Sequence, residues 1–233
     1  MTNIEPLYDK KYHCLLCSHA FTSKKIRTRF IKLESTDTDF CPSYSDPEYN
    51  PILYQITVCP SCGFSFSDDF STYFPFGTRE NIQEKVCSNW KPHSFSSKRT
   101  INDSIKTYML AVYCATLKKE KHIILAGLYM KLVWLFRYQG NPEQEQRFMK
   151  MAFQEYYDSY ITQDYQGTQV SEIRLLYLLG ELEIRMGNIK EASIHFSKVI
   201  EQQRKTTESK IVEMAKERWH EIRQTKEFQS AIN

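Results

Sequence analysis

Two cysteine pairs constrain this chain more than any other feature of its sequence. Cys14 and Cys17 form one C-x-x-C unit, and Cys59 and Cys62 form a second. A two-residue spacer lets both sulfurs of a pair face the same ion, and four thiolates suit tetrahedral Zn²⁺. We therefore predict a structural Zn²⁺ held by Cys14, Cys17, Cys59 and Cys62, in a head too small to fold stably without such a staple.

The bulk composition is that of a globular protein. Its net charge of +3 does not indicate binding to nucleic acid or to anionic membranes. The longest apolar runs fall short of the roughly 20 residues that span a bilayer, and the first residues lack a secretory signal. We expect a cytoplasmic protein without membrane contact, whose seven cysteines are thiols and metal ligands rather than disulfides.

Alternation of side-chain types predicts short strands around the cysteine pairs. Residues 24–32 predict a half-exposed strand with a basic outer face, because Ile26, Thr28 and Phe30 alternate with basic residues. Residues 52–58 predict a second strand that leads into the second cysteine pair, and residues 64–66 a short third one. Residues 34–51 are rich in Asp, Ser, Pro and Asn and predict a long loop.

Helices are predicted from residue 101 to near the end of the chain. Apolar residues recur three and four positions apart, and Gly-Asn breaks follow residues 139 and 186. The second pair of helices resembles a tetratricopeptide (TPR) repeat at Gly180, Gly187, Ala192 and Phe196. The predicted fold class is α+β: a zinc-ribbon-like head (1–75), a connector (76–100) and an all-α, TPR-like helical-repeat body (101–233).

The order of motifs resembles an uncharacterised bacterial family, domain-of-unknown-function family 2225. The resemblance is carried by YDKKYHCLLC at 8–17, DTDFCP at 37–42, VCPSCGF at 58–64 and the helical segment 126–137. It implies a bacterial cytoplasmic protein with a zinc-ribbon-like head and a TPR-like body. It brings no established activity.

Two surfaces are candidate binding sites. A TPR-like groove suits a protein or peptide partner with an acidic or carboxylate anchor; alternatively, a further helix fills this groove or its residues pack on the head. The predicted groove residues are Met130, Trp134, Arg137, Tyr138, Arg174, Tyr177 and Arg185. The basic strand offers contacts to phosphates, or a merely solvated outer face. Its residues are Lys24, Lys25, Arg27, Arg29 and Lys32.

Cys41 is the ambiguous thiol. It is a candidate redox thiol or spare ligand, but nearby Asp37 and Asp39 would raise its pKa, which favours a buried anchor of the turn around it. His13 and His19 flank the first cysteine pair and are expected beside the metal rather than on it.

The favoured function is a non-catalytic zinc-binding protein that acts as a protein-interaction or scaffold module. The sequence contains no H-E-x-x-H motif, no nucleophile elbow and no glycine-rich phosphate loop. Two alternatives stay open: a nucleic-acid-binding zinc ribbon that uses residues 24–32, and a thiol redox sensor that uses Cys41.

Overall fold

The computed structural model describes residues 4–224. Three two-stranded antiparallel hairpins form the head, and α-helices form the rest. The strands are β1 (Leu7–His13), β2 (Ala20–Ile26), β3 (Leu33–Thr36), β4 (Pro42–Tyr44), β5 (Thr57–Val58) and β6 (Ser65–Phe66). The helices are α1 (Thr78–Lys85), α2 (Ile101–Lys118), α3 (His122–Gln139), α4 (Pro142–Thr162), α5 (Glu172–Arg185), α6 (Ile189–Glu201) and α7 (Ser209–Gln224).

The helical body follows the predicted pattern closely. The breaks at Gly140 and Gly187 separate α3 from α4 and α5 from α6. Helices α5 and α6 approach closely at Gly180, where a Cβ atom would lie only 2.8 Å from the Phe196 ring. The part of the predicted helical region beyond residue 224 lies outside the described residues.

Two predicted strands are wrong in part. The basic strand ends at Ile26, because its partner β1 begins at Leu7, which pairs with Ile26. Residues 28–30 turn into a 3-10 helix instead. In the segment 52–58, only Thr57–Val58 is a strand, because Asn50 caps a 3-10 turn and its side chain accepts a hydrogen bond from the Ile52 amide at 2.9 Å.

The predicted loop 34–51 contains a hairpin that the sequence pattern did not reveal. Strands β3 and β4 pair across a turn in which the Asp37 amide donates to the Cys41 carbonyl at 2.8 Å. Phe40 has a left-handed backbone, with φ of 65°. Short polar residues at the turn hide the alternation that marks a strand. We call residues 37–42 the acidic turn.

Head and helices share one hydrophobic core. Buried side chains from Cys14 to Phe95 and from Ile105 to Leu182 form one continuous cluster. A second cluster joins α5, α6 and α7. The division at residues 75 and 100 stays a prediction, and the shared core means that the head is packed against the helices over a broad surface.

Arg99 organises the junction between the connector and the head. It is only 5 % exposed, and its guanidinium donates to the carbonyls of Ile56, Leu53 and Phe95 at 2.8, 3.2 and 2.9 Å. Burial lowers the pKa of Arg99. Carbonyl oxygens thus satisfy a buried cation and fix the head to the residues that precede α2.

Candidate metal centre and helical groove

The four predicted metal ligands converge at one point. Cys14 and Cys17 lie in the turn between β1 and β2, and Cys59 and Cys62 in the turn between β5 and β6. The Sγ atoms of Cys14 and Cys62 are 3.6 Å apart, those of Cys17 and Cys59 are 3.7 Å apart, and all four lie within 4.8 Å of one another. Four sulfurs about 2.3 Å from a tetrahedral Zn²⁺ would be about 3.8 Å apart. The cluster therefore fits a metal ion of that size.

Both turns have the same backbone hydrogen bonds. In each, the amide of the first cysteine donates to the carbonyl five residues later, and the amide four residues later donates back to the first cysteine. These pairs are Cys14–His19 at 3.0 Å, Ser18–Cys14 at 2.9 Å, Cys59–Phe64 at 3.0 Å and Gly63–Cys59 at 2.9 Å. Ser18 and Gly63 occupy equivalent positions with φ of 62° and 74°. Two copies of one turn thus present two thiols each.

The second turn is buried more deeply than the first. Trp90 lies on Gly63, where an added Cβ would come within 2.5 Å of the indole ring. The Trp90 indole N–H donates to the Pro60 carbonyl at 2.9 Å. Cys17 of the first turn is exposed, whereas Cys59 is fully buried.

The thiols depend strongly on one another for their ionisation. The hydrogen bond with Cys62 lowers the pKa of the Cys14 thiol to about 5, and the same contact raises the pKa of Cys62 far above its usual range. Burial raises the pKa of Cys59 to about 11. Four thiolates this close repel one another, so a bound cation is the natural way to hold all of them ionised.

Three further side chains near the cysteine cluster do not belong to it. His13 and His19 are exposed, and His19 stacks on Phe21 with ring centroids 6.3 Å apart. Cys87 follows α1 and lies near Cys62, but does not join the four clustered sulfurs. The donor set in the described residues is thus four thiols.

The acidic turn inserts its carboxylates among arginines of the helices. Asp39 is fully buried, and the guanidinium of Arg137 donates two hydrogen bonds to it, at 2.7 and 3.1 Å. The Trp134 indole N–H and the Cys41 amide donate to the same carboxylate at 3.3 and 3.1 Å. Every oxygen of this buried charge is therefore occupied, as a buried carboxylate requires.

A second buried carboxylate, Glu181 on α5, completes the contact. It accepts hydrogen bonds from the Thr38 hydroxyl at 2.5 Å, from Arg185 at 2.9 Å and from Arg218 at 2.8 Å. Arg185 also pairs with Asp37 at 3.0 Å. Helices α3 and α5 thus bind the turn through charged groups, and α7 supports the contact through Arg218, which pairs with Glu181.

Aromatic contacts surround these ion pairs. The Tyr177 hydroxyl donates to the Thr38 carbonyl at 2.8 Å, and the Phe40 ring lies 5.4 Å from the Tyr177 ring. The Tyr138 hydroxyl donates to the Pro42 carbonyl at 2.5 Å, and the Cys41 thiol donates to Tyr138 at 3.5 Å. Burial raises the pKa of the Cys41 thiol, which favours the anchoring role over a reactive thiolate.

The predicted groove residues therefore gather on one face, but the chain's own turn occupies part of it. Arg137, Tyr138, Tyr177 and Arg185 contact the acidic turn. Met130, Trp134 and Arg174 line a cavity of about 700 Å³ between the helices and the head. We call this space the head–helix cavity. Trp134 and Arg174 also contact the turn, at Asp39 and Phe40. The contacts of Arg137, Tyr138, Tyr177 and Arg185 with the turn correspond to the alternative that groove residues pack on the head.

The basic residues of the head mostly have internal partners. Lys24 pairs with Asp9 at 3.0 Å, and Lys25 lies 3.7 Å from Asp68. Arg27 donates to the Glu5 carbonyl at 3.2 Å. Arg29 lies over its neighbour Phe30, and Lys32 is exposed. The described residues thus offer no continuous row of unpaired cations for a phosphate backbone.

Sequence reasoning missed three residues that matter here. Glu181 and Arg218 carry the second ion-pair cluster, and Lys131 lines the head–helix cavity beside Trp134. Glu181 and Lys131 had one sequence signal, a charge inside an apolar helix, as with Glu181 in LLYLLGELEI. A charge at such a position calls for a partner, but the sequence does not tell which. Arg218 stands in the charged stretch KERWHEIR and had no such signal.

Comparison with known proteins gives a family. The chain belongs to the family described as an uncharacterized protein conserved in bacteria (DUF2225), whose model matches residues 7–222. No curated protein matches the chain. No solved structure matches it. None of the helices within residues 4–224 has an apolar stretch long enough to cross a lipid bilayer.

Proposed function

We propose that this protein is a non-catalytic binding module in which structural zinc shapes the head and a TPR-like helical face binds a segment of another protein. One observation carries the proposal: the helical face already binds an acidic, aromatic segment, the turn at 37–42. Arg137 holds Asp39 with paired hydrogen bonds, the geometry that proteins use to recognise carboxylates.

Zinc is the proposed metal because of the donor set. Four thiolates are soft ligands that favour Zn²⁺ in a tetrahedral shell. A shell completed by four cysteines has no position for a substrate water, so the metal would stabilise rather than catalyse. Free thiols of this kind suit a reducing compartment, which supports a bacterial cytoplasmic location.

The partner site that we propose is the uncovered part of the same helical face. Arg174 is 44 % exposed in its side chain and lies over the Phe40 ring at 5.0 Å, at the rim of the head–helix cavity. Arginine and aromatic residues at a partly open cleft are the side chains most often found at binding hot spots. The acidic turn would then form one wall of the partner site.

A matched pair of arginine variants tests the proposal. Arg174→Ala removes a rim cation, whereas Arg147→Ala removes an exposed arginine that also lies over an aromatic ring, Phe148, on the outer side of α4. We expect affinity capture from the native bacterium to yield a partner that Arg174→Ala loses and Arg147→Ala keeps. Identical partners for all three proteins, or none at all, would contradict the proposal.

A further inference from the structure

The head–helix cavity contains a cation without a counterion. Lys131 lies in the middle of α3, and its ammonium is 3.7 Å from the centre of the Trp134 ring. Among residues 4–224, no carboxylate, carbonyl or hydroxyl forms a hydrogen bond or ion pair with it. Burial lowers the pKa of Lys131 to about 8, against the pull of the nearby Asp69. A lysine in such a place is costly unless something binds it.

The other charges around the cavity are largely neutralised. Arg137 neutralises Asp39, and Asp68 lies 3.7 Å from Lys25. Asp69 remains. Its carboxylate accepts a hydrogen bond from the Ser67 hydroxyl at 3.5 Å, and its backbone amide donates to the same hydroxyl at 3.2 Å. Arg174, at the rim, lies 4.0 Å from Glu208. Among the described residues that line the cavity, Lys131 is thus the cation without an ion pair and Asp69 the carboxylate without one.

The rest of the cavity wall combines apolar and aromatic side chains with neutral polar ones, among them Gln55 and Gln169. A volume of about 700 Å³ falls in the range of sites that enclose a small ligand or a short peptide end. The apolar lining includes Phe40, Ile123, Ile124, Leu128, Tyr156 and Val170. A ligand with an apolar body and one carboxylate would match this lining and the free ammonium.

We infer that Lys131 is the anchoring residue for the C-terminal carboxylate of a bound peptide, in the site of the proposed function on which this inference rests. The head and the helices both form walls of the cavity. A chain end fits such a site because, unlike an internal segment, it does not have to leave through a second opening. Its carboxylate meets Lys131, its last side chains meet the apolar lining, and its backbone N–H groups are donors for Asp69. An acid without N–H groups would leave Asp69 unmatched.

The test uses full-length, zinc-loaded protein and two small probes, N-acetyl-Phe-Leu with a free carboxylate and its C-terminal amide. Binding is followed by NMR through the indole N–H signal of Trp134, which lies against Lys131. We expect the carboxylate to bind at least ten-fold more tightly than the amide. Lys131→Met should abolish that preference, and Lys131→Arg should restore much of it. The exposed Lys190→Met on α6 serves as the matched control and should keep the preference.

The outcomes separate this inference from the proposed function. Equal binding of acid and amide, binding unchanged in Lys131→Met, or no binding of either probe would overturn the inference. If a captured partner then still depends on Arg174, the proposed function stands without it. Octanoate provides a further arm: binding as tight as that of the peptide acid would overturn the peptide source and leave a site for free carboxylates.

Discussion

The cysteine cluster and the acidic turn each join segments that are far apart in the chain, but they do so with different chemistry. The cluster joins two hairpins of the head through four thiols that fit one metal ion. The turn joins the head to the helices through the buried ion pair of Asp39 with Arg137 and through hydrogen bonds of the Thr38 hydroxyl with Glu181 and Arg185. A metal site requires its complete set of ligands. By contrast, removal of one charged residue from the turn should lower the stability of the head–helix contact only in part.

This difference in chemistry predicts different effects of mutation in the two regions. Loss of ligands should abolish the metal site as a whole, because a structural metal contributes on the order of 10 kcal/mol of folding free energy in small domains. Loss of one carboxylate from the turn should weaken the junction and leave the metal in place.

The largest effect is expected for the double variant Cys59→Ser with Cys62→Ser. It removes half of the shell from the more deeply buried turn, so the protein should lose its zinc and the head should unfold. Elemental analysis and near-ultraviolet circular dichroism measure the two losses. Cys87→Ser is the control, because Cys87 lies near the cluster without belonging to it, and zinc content should be unchanged. Zinc bound equally by the double variant would contradict the assignment.

Next comes the acidic turn, where Asp39 and Asp37 form a natural pair. Asp39→Asn removes a fully buried charge and leaves Arg137 facing a neutral amide, which should cost about 3 kcal/mol in free energy of unfolding. Asp37 is 46 % exposed in its side chain, so Asp37→Asn should cost less than about 1 kcal/mol. Urea unfolding with zinc bound measures both values. Equal costs would show that burial of Asp39 does not govern the junction.

A third comparison uses the two equivalent turns of the metal site. Gly63→Ala places a Cβ within 2.5 Å of the Trp90 ring at a left-handed position, which should cost about 2 kcal/mol. Ser18→Ala at the matching exposed position already has a side chain and should change stability by less than about 0.5 kcal/mol. Thermal unfolding of both variants with zinc bound provides the measurement. A larger loss for Ser18→Ala would contradict the packing of Trp90 on the second turn.

The smallest effect is expected for the change in folding stability at low pH that depends on Asp37. Burial opposes ionisation of Asp37, but the Thr38 amide and the Arg185 guanidinium outweigh it and lower the Asp37 pKa below its ordinary 3.8. Its contribution to stability is therefore present above pH 3.8 and is lost as the pH falls through the lower, folded value. The difference in urea midpoint between the wild type and Asp37→Asn should be seen at pH 6 and should shrink below pH 3.8. A difference that grows toward acid would have the wrong sign.

The sequence predicted the cysteine cluster and missed the acidic turn's partners for a physical reason. Metal knuckles are local: the spacing of Cys14 and Cys17 fixes the geometry of their sulfurs within one turn. The partners of Asp39 lie on α3, far along the chain, and only tertiary packing brings them together. Helices were predictable because their apolar periodicity repeats over many residues, whereas the short strands β3 and β4 repeat too few times to be recognised.

The groove prediction shows the same limit. The repeat pattern predicted Trp134 and Arg137 for one groove, and these residues lie three positions apart on α3, both in contact with Asp39. The pattern did not reveal that the chain's own turn covers part of that face, since an occupant from a distant segment leaves no periodic signal. Only the three-dimensional structure reveals that Lys131, near that turn, has no ion-pair partner among residues 4–224.

The central claim is that Cys14, Cys17, Cys59 and Cys62 hold one structural zinc, and X-ray absorption at the zinc edge tests it most directly. The claim predicts one zinc per chain with four sulfur neighbours at about 2.3 Å and no nitrogen or oxygen ligand. The claim would be contradicted if protein purified under reducing conditions contained no zinc, or if its zinc had fewer than four sulfur neighbours.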